Sequence, residues 1–280
     1  SALILGYKYD IDPQLKKAYS NVGAMHVLAV SGLHVGIIFL VLNLLLQFLN
    51  KIKYGALIKG ILIILMLWLY AFITGLSPSV MRAATMFSFI VIAKMANRNS
   101  NIFNTLAASA FVLLIINPLL IMEVGFQLSY LAVLGIVIIQ PWIYNQISIK
   151  WSLLDKVWNI TAVSIAAQIG TFPLALLYFH QFPNYFLLSN LIVIPLAFII
   201  LYLGLTTLLL SPIPIIGDYL AFILKYVIQF LNWFVIQMDK LPYSLTQNIR
   251  FNIIDAWLIY GIIILIISLI AFRKFKYFLL

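Results

Sequence analysis

Cysteine is absent from this chain of 280 residues. Its absence excludes a disulfide framework, thiolate metal sites and a cysteine nucleophile. Charge is almost as scarce, at 9% of residues, and only 7 residues are acidic. Between Asp12 and Asp155 the sole acid is Glu123. Between Lys156 and Asp218 no charged residue occurs at all. One membrane span takes about 20 apolar residues, so that stretch alone holds at least two. No Walker loop, HExxH or dinucleotide fingerprint is present. Ser1–Asp10 lacks the basic and apolar regions of a secretory signal. With no initiator Met and an abrupt SALILG start, the chain reads as part of a longer protein.

What is abundant is apolar: 65% of residues are hydrophobic. The runs are continuous and rich in Leu and Ile, which argues against a barrel of short alternating strands. The expectation is an all-α, polytopic transmembrane fold with discontinuous helices. Nine hydrophobic segments are expected, over 28–49, 56–74, 79–96, 102–116, 125–143, 158–178, 186–210, 218–238 and 253–271. The net charge of +10 is explained first by topology. Lys51, Lys53, Lys59, Lys94, Arg98, Lys150, Lys156, Arg273, Lys274 and Lys276 fall on one side. Lys8, Lys16, Lys17, Lys240 and Arg250 fall on the other. This bias puts the C-terminus in the cytoplasm and the N-terminus outside. Segment 218–238 carries Lys225, Gln229 and Asn232 at helical spacing. It either spans or lies in the interface. Asp12-Pro13 reads as an N-cap followed by Pro at the first helical position. Residues 1–22 are thus expected to be an amphipathic lead-in on the outer side, and 23–280 the transmembrane domain.

Polar groups inside such runs need partners, and they mark candidate sites. The run HVLAVSGLHVG, His26 to Gly36, places His26, Ser31, Gly32 and His34 in an apolar stretch. A Ser-Gly pair commonly bends or breaks a helix. It leaves either a kinked helix with satisfied histidines or a discontinuous helix lining a polar path. The histidines are eight residues apart, too far for an i,i+4 ligand pair, and no carboxylate is near, so no metal site is expected. In GLSPSVMRAA, Gly75 ends one helix, Ser77 and Pro78 open the next, and Ser79 and Arg82 follow. Free N–H groups plus a cation one turn in would suit an anion such as phosphate. The alternative is an arginine snorkelling to the interface. In PLLIMEVGFQLSY, Glu123 precedes Gln127 and Ser129. Glu123 either favours a helix N-terminus or pairs with Arg82. Gln168, Gly170, Thr171 and Pro173, and then Asn190 and Pro195 in the next segment, either pack helices or line a cavity.

Taken in order, HVLAVSGLHVG, TGLSPSVMRAATM, NPLLIMEVGFQLSYLAV and QIGTFPLALLYF with a later SNLIVIP resemble the competence domain of the ComEC family. The likeness runs from about Ala2 to about Leu210. It implies a multi-pass domain of the bacterial inner membrane that passes single-stranded DNA into the cytoplasm during natural transformation. Read from their polar or helix-breaking chemistry, the residues expected to line such a channel are His26, Ser31, Gly32, His34, Ser77, Pro78, Ser79, Arg82, Glu123, Gln127, Ser129, Gln168 and Asn190. Membrane lipids surround it. A cytoplasmic helicase or translocase and periplasmic DNA-delivery proteins are the implied partners. Members usually also carry an OB-fold domain and often a metallo-β-lactamase-like domain. Neither is in this sequence, and no H-x-H-x-D-H motif occurs, so neither catalysis nor a cofactor is expected. Two rivals remain: a small-anion secondary transporter built on broken helices, and a rhomboid-like intramembrane serine protease using Ser31 within AVSG.

Overall fold

The computed structural model describes residues 11–28 and 30–278, with side chains placed except those of 214 and 271–278. Residues 1–10 of the lead-in, Ala29 of the AVSG motif and the side chains of Arg273, Lys274 and Lys276 therefore lie outside the described part.

The fold is all-α. The lead-in forms α1 (Pro13–Asn21), whose Asp12 side chain accepts the Gln14 N–H, as the Asp-Pro pair predicts. The charged side chains of Lys16 and Lys17 are exposed while Tyr19 and Ala18 are buried. A short α2 (Met25–Leu28) follows, then α3 (Gly32–Leu45), extended by a 3-10 turn over Leu46–Lys51. The helix expected from residue 28 is thus broken before Gly32. Next come α4 (Gly55–Ile73), α5 (Pro78–Met95), α6 (Ile102–Ile116) and a 3-10 turn (Pro118–Met122). The second half holds α7 (Val124–Tyr144), α8 (Ser152–Phe179), α9 (Phe186–Leu210), α10 (Pro214–Asp239) and α11 (Ile253–Phe278). Among the described residues, 8 helical stretches are long and apolar enough to cross a membrane, and Ile102–Ile116 is a shorter apolar helix. The chain is a multi-pass membrane protein, and its helices follow the nine expected segments.

Two short strands settle the direction of α10. β1 (Phe182–Pro183) and β2 (Leu245–Thr246) pair antiparallel. Asn184 reinforces them by donating to the Tyr243 carbonyl at 2.7 Å. The pairing holds the loop after α8 and the loop after α10 at one end of the molecule. Two helices separate those loops, so α9 and α10 run across and back. At about 1.5 Å per residue the 26 residues of α10 reach about 39 Å, enough to span. Its Asn232 is not a membrane-surface group: it accepts the Tyr19 hydroxyl at 2.9 Å, and Asn21 donates to Asp239 at 2.8 Å. These bonds seat α1 on α10.

Of the four apolar clusters among the described residues, two meet at the helix break before α3. One joins α1, α2, α9 and α10 through Tyr19, Leu28, Val193, Ala197, Leu231 and Val235. The other joins α3, α4 and α5 through Val30, Val35, Ile63, Leu67 and Val80. Leu28 belongs to the first and Val30 to the second, so the chain passes between them at the helix break. The α7–α8 pair packs most closely at two glycines. A Cβ on Gly135 would stand 2.5 Å from the Ala166 carbonyl oxygen and 3.2 Å from Gly170 Cα. Small residues permit this approach where lipid supplies no hydrophobic drive between helices.

Candidate functional site

The break before α3 is a built feature. Ser31 stands at the N-cap in extended conformation. His34, three residues on, reaches back: its Nδ1 accepts the Ser31 N–H at 3.2 Å and lies 2.9 Å from Ser31 Oγ. This is a capping arrangement with histidine in the place usually held by Glu or Gln. A backbone N–H can only donate, so Nδ1 is the unprotonated nitrogen of the neutral ring. The break also frees the Val30 carbonyl, and Ser79 of α5 donates to it at 3.1 Å. In a membrane a loosened backbone survives only with such protein partners.

Arg82 sits against this break. Its residue is only 7% exposed, so the guanidinium does not snorkel. Nη1 donates to the Ser129 carbonyl of α7 at 2.7 Å. The guanidinium carbon lies 5.8 Å from the centre of the Tyr130 ring, within the range of a cation–π contact. Tyr130 is held in turn by Ser109 of α6 at 2.9 Å. On the other flank is Gly32: a Cβ there would meet Arg82 Nη2 at 2.7 Å. Arg82 Nε is buried without a hydrogen-bond partner among the described residues. The starts of α3, α5 and α7 thus converge on one buried cation, and no acidic residue occurs between 13 and 122.

Of the two readings of Glu123, pairing with Arg82 is not what holds this cation. Glu123 is exposed at the N-cap of α7, and the Ser129 carbonyl takes the arginine instead. A carboxylate at a helix start is favoured by the dipole on its own account. Pro78 opens α5 as expected, but Ser77 makes no side-chain cap; its hydroxyl lies 3.4 Å from that of Ser79. Pro78 faces the start of α7, 3.7 Å from where a Cβ of Gly125 would be.

Other candidates lie apart from the arginine. Gln127 donates to the Ile121 carbonyl and accepts the Tyr178 hydroxyl, at 2.7 and 2.9 Å, so it ties the α7 start to the end of α8. His26 is exposed on α2, with Nδ1 3.1 Å from the Gly23 carbonyl oxygen. Gln168 is half-buried in α8. Asn190 of α9 is 8% exposed, and its Oδ1 has no partner among the described residues. Ser189 and Ser164 likewise bury unpartnered hydroxyls. Ser31, Gly32, His34, Ser77, Pro78, Ser79, Arg82 and Ser129 therefore form one group, and His26, Glu123, Gln127, Gln168 and Asn190 do not join it. Tyr130 and Ser109 belong to the group but were not singled out from sequence. The only available signal was an aromatic residue near the end of the PLLIMEVGFQLSY motif.

Two clefts open at opposite ends. One, of about 390 Å³, is lined by Lys16, Lys17, Ser20, Asn21, Gln181 and Gln247, at the end shared by α1 and the strand pair. The other, of about 210 Å³, lies between α3, α4 and α5 and includes Lys59 and Lys94. Neither is lined by Arg82 or its group. On the topology expected from the charge bias, the first would face outward and the second the cytoplasm. Among the described residues no cluster of His, Asp and Glu could hold a metal ion.

Comparison with known proteins agrees with the motifs. A family model described as Competence protein matches residues 3–274. ComE operon protein 3 of Bacillus subtilis (strain 168) is 35% identical over 194 residues, which cover 69% of this chain and 24% of that protein. An uncharacterized protein of Aquifex aeolicus (strain VF5) is 29% identical over 132 residues, covering 47% of this chain and 30% of its own length. The matched part thus spans less than a third of either relative. No solved structure matches.

Proposed function

The chain belongs to the Competence protein family, and from that premise we propose that it is the membrane conduit through which single-stranded DNA passes into the cytoplasm during natural transformation. Its membrane would be the bacterial inner membrane. The role is transport without catalysis; force would come from a cytoplasmic helicase or translocase, and DNA from periplasmic delivery proteins.

The observation that carries this reading is Arg82. A guanidinium in a span costs about 2.5–3.5 kcal/mol on insertion scales. Here it has one carbonyl, one aromatic face and an unpartnered Nε, and no carboxylate holds it. Phosphate oxygens match its remaining donors. The incomplete satisfaction also suits a substrate that must leave again, since conduction needs binding that is favourable but weak. The strand would reach Arg82 from the outer cleft with Lys16 and Lys17. Gln168 and Asn190 would serve the same path further on.

The compactness of the Arg82 group favours a second reading, a secondary transporter for a small anion. The two separate by experiment. Arg82→Leu should lower DNA uptake by at least about tenfold in cells that still insert the protein, the order expected when an interaction worth about 1.4 kcal/mol or more is lost. Unchanged uptake removes Arg82 from the path. In proteoliposomes, accumulation of a small labelled anion that oligonucleotides fail to inhibit would favour the transporter. The protease reading rests on Ser31 within AVSG, and the contact of Ser31 with His34 serves here as a helix cap. A fluorophosphonate that labels Ser31 would revive it.

A further inference from the structure

We infer that the inner cleft between α3, α4 and α5 is a binding site for an anionic phospholipid, independent of the DNA-conducting role. At its polar rim are Lys59, Lys94, Asn43 and Asn50; its floor includes Ile63 and Val91. Cations and amides above an apolar floor match a lipid phosphate with the first carbons of an acyl chain. Basic pockets between spans on the cytoplasmic side are suited to such headgroups.

Position supports this ligand. Lys59 lies one turn into α4 and Lys94 in the last turn of α5. By the charge bias both stand at the cytoplasmic end, where headgroups are. Lys59 is half-buried, so part of its aliphatic stem packs against the cleft. No protein carboxylate can answer its charge from these elements, because the sequence has no acid between 13 and 122. An anion seated between the two lysines would therefore meet no competing carboxylate from α3, α4 or α5. Lys94 is braced by the Phe39 ring, 5.8 Å from its Nζ. Gly60 keeps α4 close to α5: a Cβ there would reach Val91 Cγ1 at 3.1 Å. Around the cleft Leu44, Leu45, Phe48 and Leu57 are exposed, as groups that meet acyl chains would be. The volume of about 210 Å³ is below the roughly 300–1,000 Å³ of pockets that enclose a whole small ligand. Only the phosphate and the start of one chain would seat.

The test is native mass spectrometry of the full chain released from vesicles of equal parts phosphatidylglycerol and phosphatidylcholine. The expected result is retention of phosphatidylglycerol over phosphatidylcholine on the order of tenfold. Lys59→Gln with Lys94→Gln should bring the two lipids to parity. Lys59→Arg with Lys94→Arg should keep the preference, which separates lost charge from lost folding. Lys150→Gln with Lys156→Gln, on the same side but outside the cleft, should also keep it. The inference is overturned if the unaltered chain shows no preference, if the paired Gln variant keeps it, or if the Lys150 and Lys156 variant loses it equally. Displacement of the retained lipid by a single-stranded oligonucleotide would also overturn it, by making the cleft part of the DNA path.

Discussion

At Gly32 a missing side chain decides where a charge can sit. The guanidinium of Arg82 occupies the space a Cβ would claim, at 2.7 Å. Gly32→Val should therefore push Arg82 off the Ser129 carbonyl. Overpacking of this kind costs about 1–3 kcal/mol. The expected outcome is a lower melting temperature together with DNA uptake reduced as far as in Arg82→Leu; normal uptake would show that the glycine only shapes the backbone. His34→Ala should remove the cap of α3 at a cost of about 0.5–2 kcal/mol, read as thermal destabilisation of the purified chain. The residues of this site were partly legible. Ser31, Gly32, His34 and Arg82 are polar or helix-weakening groups inside apolar runs, and the bilayer makes such groups conspicuous. The partner of Arg82 was not legible, because a backbone carbonyl carries no sequence signature. Glu123 was the obvious chemical match and stands exposed.

Among the elements, α7 and α8 depend on contact between glycines. Gly135→Leu would drive a side chain into the α8 backbone, at the Ala166 carbonyl and Gly170. We expect loss of the folded monodisperse protein in detergent, while Gly261→Leu, where a Cβ would meet no other helix within 4 Å, should be tolerated. Size-exclusion profiles of both variants check this. Helix ends were readable where local chemistry sets them: Asp12 capping α1 before Pro13, Pro78 opening α5, and Gly75 with φ +82 after the end of α4. The course of α10 was not. Its polar positions fit an interfacial helix as well as a span, since composition alone does not state which groups cover Asn232. The β1–β2 pairing and the Tyr19 bond decide it.

For the molecule as a whole, the absence of cysteine makes topology directly measurable. Gln146→Cys lies between α7 and α8, and Asn248→Cys between α10 and α11; both positions are exposed. An impermeant maleimide added to intact cells should label Asn248→Cys at once and Gln146→Cys only after permeabilisation. The reverse would invert the orientation. Labelling of both from one side would contradict three crossings between them. Two of the apolar clusters meet where Leu28 gives way to Val30, and a third contains Tyr130, so the arginine site lies where clusters adjoin. Arg82 is the only buried cation among the described side chains.

The sequence by itself determined that this chain lives in a membrane, how many apolar stretches it has, and which side carries more positive charge. Those are one-dimensional properties: hydropathy and charge act residue by residue, and lipid admits few backbone solutions. The tertiary structure alone decided that the starts of α3, α5 and α7 share one arginine, that Gln127, Gln168 and Asn190 stand apart from it, and that two lysines far apart in sequence rim a single cleft. Such meetings depend on which helix faces touch. In lipid that is set by small residues and hydrogen-bond closure rather than by hydrophobicity, and neither is visible along the chain until the helices are packed.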